Sequence, residues 1–277
     1  MEEINRSYRD LWKKYRKMDL RCKNRNYFDI WPMQYDTSIR KQNLLFIGFN
    51  PSYDDSNDEL MLLEDSSLED TNQIMRVVEY ERTAQRGNGE KKRYKYYNPF
   101  PDICETLGLD REDWNHIDLL PFRNKKQKDL IDVLHLDQET GLSQWYIGGS
   151  TELNILKDCL SILLGFISYI DPEVIVVVNG FISSKIIDYT GSYYVSGKEA
   201  SRSKTSGFKG DLSLFLSSDH KEKHRILRIM DKEYPLLASA MLFGQRALDL
   251  SSKERLIWHM KKILDDKQLT NILKKVS

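Results

Sequence analysis

The chain has 277 residues and balances 42 Lys+Arg against 42 Asp+Glu, so no overall field draws it to nucleic acid or membrane and any polyanion binding must come from local patches. No run approaches the roughly 18 apolar residues of a membrane span, and the acidic start Met1-Glu2-Glu3 is unlike a signal peptide. These features predict a cytoplasmic protein with no membrane partner. Cys22, Cys104 and Cys159 are far apart and form no Cys-x-x-Cys, and the five histidines show no zinc spacing. With no Gly-x-Gly-x-x-Gly and no Walker loop either, the minimum signatures of a deaminase, an NAD enzyme and an ATPase are missing. No metal and no cofactor is expected.

Ile4, Tyr8, Leu11, Trp12 and Tyr15 recur at helical spacing among Arg and Lys, which predicts an amphipathic helix over 4–19 within an N-terminal helical extension, 1–40. Leu44 to Ile47 then reads as a buried parallel strand within 43–48, ended by Gly48, Phe49, Asn50, Pro51 and Ser52. Gly48 permits a close backbone approach and Pro51 stops the ladder. Asn50 is left at the carboxyl end of the strand, where open α/β sheets keep their ligands, although the same residues also suit a plain turn after a core strand.

An acidic segment follows (Asp54, Asp55, Asp58, Glu59, Glu64, Asp65, Glu69, Asp70), running into a predicted helix over 68–84. Acid beside a DNA site is unfavourable, because phosphates supply much of the affinity. The sign then reverses in Arg82, Arg86, Lys91, Lys92, Arg93 and Lys95, interleaved with Tyr94, Tyr96, Tyr97 and Phe100. Cations mixed with aromatics suit phosphates and an unpaired base, though the same aromatics also suit a core. Asn98-Pro99 caps a helix over 101–108, and 116–122 reads as the second strand, followed by a short basic loop over 123–128.

Residues 152–169 form an apolar helix, and 173–180 is a β-branched strand followed by a helix over 182–189. This alternation is the βαβ signature of a parallel sheet. The polar stretch 196–210 reads as a surface loop, 212–217, 225–230 and 235–240 as short strands, and 251–264 as a helix carrying Leu256, Trp258, Met260 and Ile263. Between the last two lies an apolar loop, Met241-Leu242-Phe243, ahead of Gln245 and Arg246.

Gly48-Phe49-Asn50-Pro51-Ser52 directly after the first strand resembles the first catalytic motif of the uracil-DNA glycosylase superfamily, in the Gly-x-Asn-Pro form of its mismatch-specific branch. The resemblance covers roughly residues 43–264 as an arrangement of strands. It implies a three-layer α/β sandwich with a four-stranded, mainly parallel sheet flanked by helices, a single domain over 1–277, and a hairpin insertion within 196–234. It further implies a monomeric, monofunctional DNA N-glycosylase in which Asn50 positions the water that attacks the sugar C1′. Gly48 and Phe49 would then line the base pocket with Tyr97 or Phe100 stacking on the extruded base. The second motif of the family is His-Pro-Ser; here the histidine and proline are absent, Ser239 or Ala240 falls in the histidine's place, and Met241, Leu242 or Phe243 would form the duplex wedge. Ser52, Lys91, Lys92, Arg93, Gln245 and Arg246 would meet phosphates.

The family's base-reading asparagine corresponds here to Asp118. An ionised aspartate only accepts hydrogen bonds, which suits the exocyclic amine of a cytosine rather than uracil O4. Ordinary cytosine cannot be the target of a host enzyme, so the expected substrate is a modified cytosine, such as the glucosylated hydroxymethylcytosine of phage DNA, in a role of antiviral defence. Uracil or mismatch excision, a catalytically silent nucleic-acid binder on the same fold, and an unrelated flavodoxin-like module binding a small ligand are the alternatives, since fold does not fix function.

Overall fold

The computed structural model describes residues 1–18, 20–22, 25–37, 39, 44–52, 62–63, 68–134, 145–147, 151–153, 155–179, 192–194, 210–216, 223–229, 231–239, 241–242 and 248–276. The expected helix over 182–189, most of the expected loop over 196–210, and most of the acidic stretch over 54–67 lie outside these residues. The chain divides into two compact units that interleave along the sequence. The first is drawn from Met1–Arg40, Phe49–Tyr94 and Asp118–Tyr169, and the second from Lys41–Gly48, Lys95–Ile117 and Ile170–Ser277.

In chain order the elements are α1 (Glu2–Tyr15), the short pair β1 (Arg21–Cys22) and β2 (Arg25–Asn26), β3 (Leu44–Gly48), α2 (Thr71–Arg86), α3 (Pro99–Thr106), β4 (Trp114–Asp118) and α4 (Gln127–Val133). The hairpin β5 (Trp145–Ile147) and β6 (Thr151–Leu153), α5 (Ile155–Ile170) and β7 (Val174–Val177) follow. Last come β8 (Ser192–Tyr194), β9 (Gly210–Leu216), β10 (Lys223–Ile229), β11 (Lys232–Ala238) and α6 (Leu250–Val276).

The second unit is built on the sheet, whose strand order is β4-β3-β7-β11-β10-β9-β8. Its first four strands run parallel, so the protein is of the α/β class with a four-stranded parallel sheet, extended at one edge by β10, β9 and β8. β3 lies beside β7 with Leu45 opposite Ile175 and Phe46 opposite Val176, and every residue of both strands is buried. Burial on both faces is why these strands read as continuous apolar runs. β11 meets β7 from Leu236 onward. Pro235 precedes that ladder, so the amide donor it lacks is not needed there. On its other side β11 forms a hairpin with β10, Leu227 opposite Tyr234, and β10 in turn pairs antiparallel with β9.

The first unit has an aromatic core. α1 buries Ile4, Tyr8, Leu11, Trp12 and Tyr15 along one stripe, and the Trp12 ring stacks on Phe122 at 5.1 Å and meets Phe28 edge-on at 5.3 Å. Asn5 fastens the helix to the following segment by exchanging two hydrogen bonds with the Tyr35 backbone, each 2.7 Å. α2 starts at Asp70, whose carboxylate accepts from the Asn72 amide at 2.9 Å, as an N-cap should.

Two of the boundaries that differ from the sequence expectation have a plain physical reason. The strand expected over 116–122 ends at Asp118, because Leu120 and Phe122 are apolar for the sake of the aromatic core of the first unit rather than for the sheet. The helix expected to stop near Leu264 runs on to Val276, since no Gly or Pro interrupts it.

Candidate active site

In the first unit, the segments after β3 and β4 are laced together. The Leu120 amide donates to the Phe49 carbonyl at 2.9 Å, and the Asn124 amide to the Pro51 carbonyl at 3.0 Å. Asn50 lies within this lacing and is half-buried. Its Nδ2 donates to the Pro51 carbonyl at 2.9 Å and to the Asn124 carbonyl at 2.7 Å. Two carbonyl partners fix which end of the amide is nitrogen, because a carbonyl only accepts. Both amide protons are thereby used, and among the described residues none donates to Oδ1. The amide is held as an oriented acceptor.

Asn124 is held in turn. Its Nδ2 donates to the Tyr27 hydroxyl at 2.5 Å, and its Oδ1 accepts from the Lys126 amide at 3.0 Å. The preceding Arg123 is 3 % exposed; it is ion-paired with the buried Glu81, its Nε donates to the Trp31 carbonyl at 3.2 Å, and its guanidinium lies 5.7 Å from the Tyr80 ring centre. A buried pair of this kind fixes a geometry more than it adds stability. Tyr27→Phe removes only the hydroxyl under Asn124, and thermal denaturation should show a loss of about 1 kcal/mol, or roughly 2–4 °C.

Asp118, expected to read the base as a carboxylate, is 2 % exposed. Burial pushes its pKa up to about 8. At neutral pH it is therefore mostly protonated, and the expectation of an accept-only group is corrected: a neutral carboxyl donates as well as accepts. Gly48 closes β3, Ser52 is exposed, Lys91 and Lys92 are exposed, and Arg93 is half-buried.

In the second unit, the aromatics expected to stack on a base belong to the core. Phe100 is 1 % exposed and lies flat on Phe46 at 4.1 Å. Tyr97 is buried and stacks on Trp114 at 6.0 Å. Only Tyr96 of this group is half-exposed; its hydroxyl lies 3.3 Å from His116 Nε2. Burial lowers the His116 pKa to about 3, so the imidazole is neutral. In the sequence Tyr96 stands among the aromatics of the basic stretch, while Asn124 and His116 carry no signal that singles them out.

Ser239 is half-buried directly after β11, its amide donating to the Val177 carbonyl at 2.8 Å. Of the expected wedge, Met241 is half-buried and Leu242 is buried. Leu242 is packed rather than presented, which corrects the picture of an exposed apolar tip at that residue. Phe243, Gln245 and Arg246 lie outside the described residues. Among the described residues no group of three or more His, Cys, Asp or Glu is placed to hold a metal ion. No family model and no curated protein matches the chain.

Proposed function

We propose that the protein is a DNA glycosylase that extrudes a base and hydrolyses its N-glycosidic bond. The observation that carries this reading is the Asn50 amide, fixed by two carbonyls with its oxygen left as an acceptor just past the end of a parallel strand. An oxygen held so accepts a hydrogen bond from water and aims the water's lone pair at C1′. A preorganised dipole costs no reorganisation at the moment of reaction. Little nucleophilic push is needed, because the sugar becomes oxocarbenium-like as the base departs. On the resemblance Ser239 or Ala240 falls where the family has its histidine, so the leaving base would be offered at most a hydroxyl there and a good leaving group is favoured. Ser52, Lys91, Lys92 and Arg93 supply the phosphate contacts.

The protonated Asp118 widens the choice of base. A neutral carboxyl can donate to O4 and accept from N3–H of a uracil-type base, or accept from the N4 amine and donate to N3 of a cytosine-type base. A modified cytosine of phage DNA and a uracil in host DNA are therefore both within its chemistry at pH 7, provided that the chain opens around this buried side chain. The test is base release from duplexes containing uracil, cytosine, hydroxymethylcytosine or its glucosylated form, measured at pH 7 and pH 9. Release is expected for at least one base, with the balance moving toward cytosine-type bases at pH 9 as Asp118 ionises. Binding without release of any base would leave the silent binder instead.

A further inference from the structure

Several of the surface cations among the described residues are neutralised locally. Lys13 pairs with Glu69, Lys14 with Asp158, Arg82 with Glu79, Arg111 with Asp102 and Glu105, and Lys232 with Asp171. Arg76, Lys91 and Lys92 are exposed and, among the described residues, have no ion-pair partner. All three belong to α2 and the turn that closes it, with Glu90 the one acid in that turn.

That turn is built rather than loose. Gly87 adopts φ +75°, and its amide caps α2 by donating to the Thr83 carbonyl at 2.8 Å. A Cβ at Gly87 would come within 2.8 Å of the Lys91 carbonyl, so the chain folds back over this residue more closely than a side chain allows. The Asn88 amide donates to the Lys91 carbonyl at 3.1 Å, the Asn88 side chain accepts from the Lys91 amide at 2.8 Å, and the Tyr94 amide returns to the Ala84 carbonyl at 2.8 Å. Tyr94 is thereby set against the helix while remaining 44 % exposed. Its hydroxyl lies 2.6 Å from that of Tyr80, and the two rings meet edge to face at 6.3 Å. Tyr80 itself lies against the guanidinium of the buried Arg123. Arg76, one helical turn before Tyr80, shares its side of α2.

An aromatic ring fixed at its polar end and half open to water, with exposed cations two and three residues before it in the chain and another one helical turn from its partner Tyr80, matches an unpaired nucleotide: a π face for the base and charge for the phosphates. We infer that this end of α2 is a binding surface for single-stranded DNA, with a base stacked on Tyr94 and phosphates at Lys91, Lys92 and Arg76. The choice of DNA rests on the glycosylase reading; the surface itself does not. Neither the preformed turn nor the exposed ring is needed merely to cap a helix, for which a C-terminal glycine suffices.

Fluorescence anisotropy tests it with three probes: a dT 12-mer, a 12-mer of abasic spacers with the same phosphates, and polyglutamate as competitor. The protein should bind dT at least about 5-fold more tightly than the spacer strand, from the stacking of one base. Tyr94→Ala should erase that difference and leave the salt dependence unchanged. Lys91→Ala with Lys92→Ala should instead flatten the slope of log K against log salt by about 1.4, at about 0.7 per lost phosphate contact on a single strand. Equal binding of dT and spacer strands by the unaltered protein, or a dT advantage that survives Tyr94→Ala, would overturn the surface. Competition by polyglutamate as strong as by dT would mark a site for acidic protein instead and overturn it equally. The measurement reads binding alone, so an inactive protein that binds dT refutes only base excision, and an active one indifferent to Tyr94→Ala refutes only this surface.

Discussion

Asn50→Ala should lower the rate of base release about 100-fold or more, with much smaller changes in KM and thermal stability. On the proposed function, what is lost is a fixed acceptor for the attacking water, of the kind whose removal or misplacement costs enzymes two or more decades. The structural cost is bounded separately, because alanine leaves the Asn124 carbonyl without its Asn50 donor while the Pro51 carbonyl keeps the Asn124 amide. One lost hydrogen bond of this type is worth about 1 kcal/mol. Asn50→Asp is the informative companion, since it keeps the shape but sets a carboxylate oxygen against the two carbonyls that Nδ2 meets at 2.7 and 2.9 Å. It should therefore be clearly less stable than Asn50→Ala at neutral pH despite its closer resemblance to asparagine. A full rate in a folded Asn50→Ala protein would remove Asn50 from the chemistry.

How far these residues can be read in the sequence depends on the range of the interaction that defines them. The strand before Asn50 is legible because an apolar run ended by proline needs no tertiary information. The clamp on Asn50 is not, because its partner Asn124 is 74 residues away in a stretch, Arg123-Asn124-Lys125-Lys126, that reads only as a basic loop. Phe100 and Tyr94 illustrate the same limit from opposite sides. Six residues apart in one aromatic and basic segment, one is flat against Phe46 in a core and the other is open to solvent, and only the packing of β3 and α2 separates them. Arg123 looks like one more loop cation and is instead the buried partner of Glu81. Asp118 falls one step further from the sequence, because its protonation is set by burial, which depends on what packs around it rather than on its neighbours in the chain.

Stability should fall as the pH rises above neutrality, and Asp118→Asn should abolish that fall. The argument rests on two buried groups of β4 with opposite habits. Asp118 titrates at an ordinary value of 3.8 when unfolded and about 8 when folded, through burial; His116 titrates at 6.5 unfolded and about 3 folded, also through burial, with the Tyr96 hydroxyl at its Nε2. A raised folded value makes stability decline as pH climbs from about 4 to about 8, whereas a depressed one makes it decline as pH drops from about 6.5 to about 3. Between about 4 and 6.5 the folded chain keeps one proton on Asp118 and the unfolded chain one on His116, so the two slopes cancel. From about 6.5 to 8 only the Asp118 slope remains, at about 1.4 kcal/mol per pH unit. Urea denaturation across pH 4 to 9 for the unaltered protein and for Asp118→Asn measures it, and the difference between the two curves removes the carboxylates they share. Asp118→Asn should then be level above pH 6.5 and, with the His116 term no longer offset, should rise from pH 4 to 6.5. Parallel curves for the two proteins would mean that Asp118 is ionised in the folded state, and the accept-only group that selects cytosine-type bases would return with it.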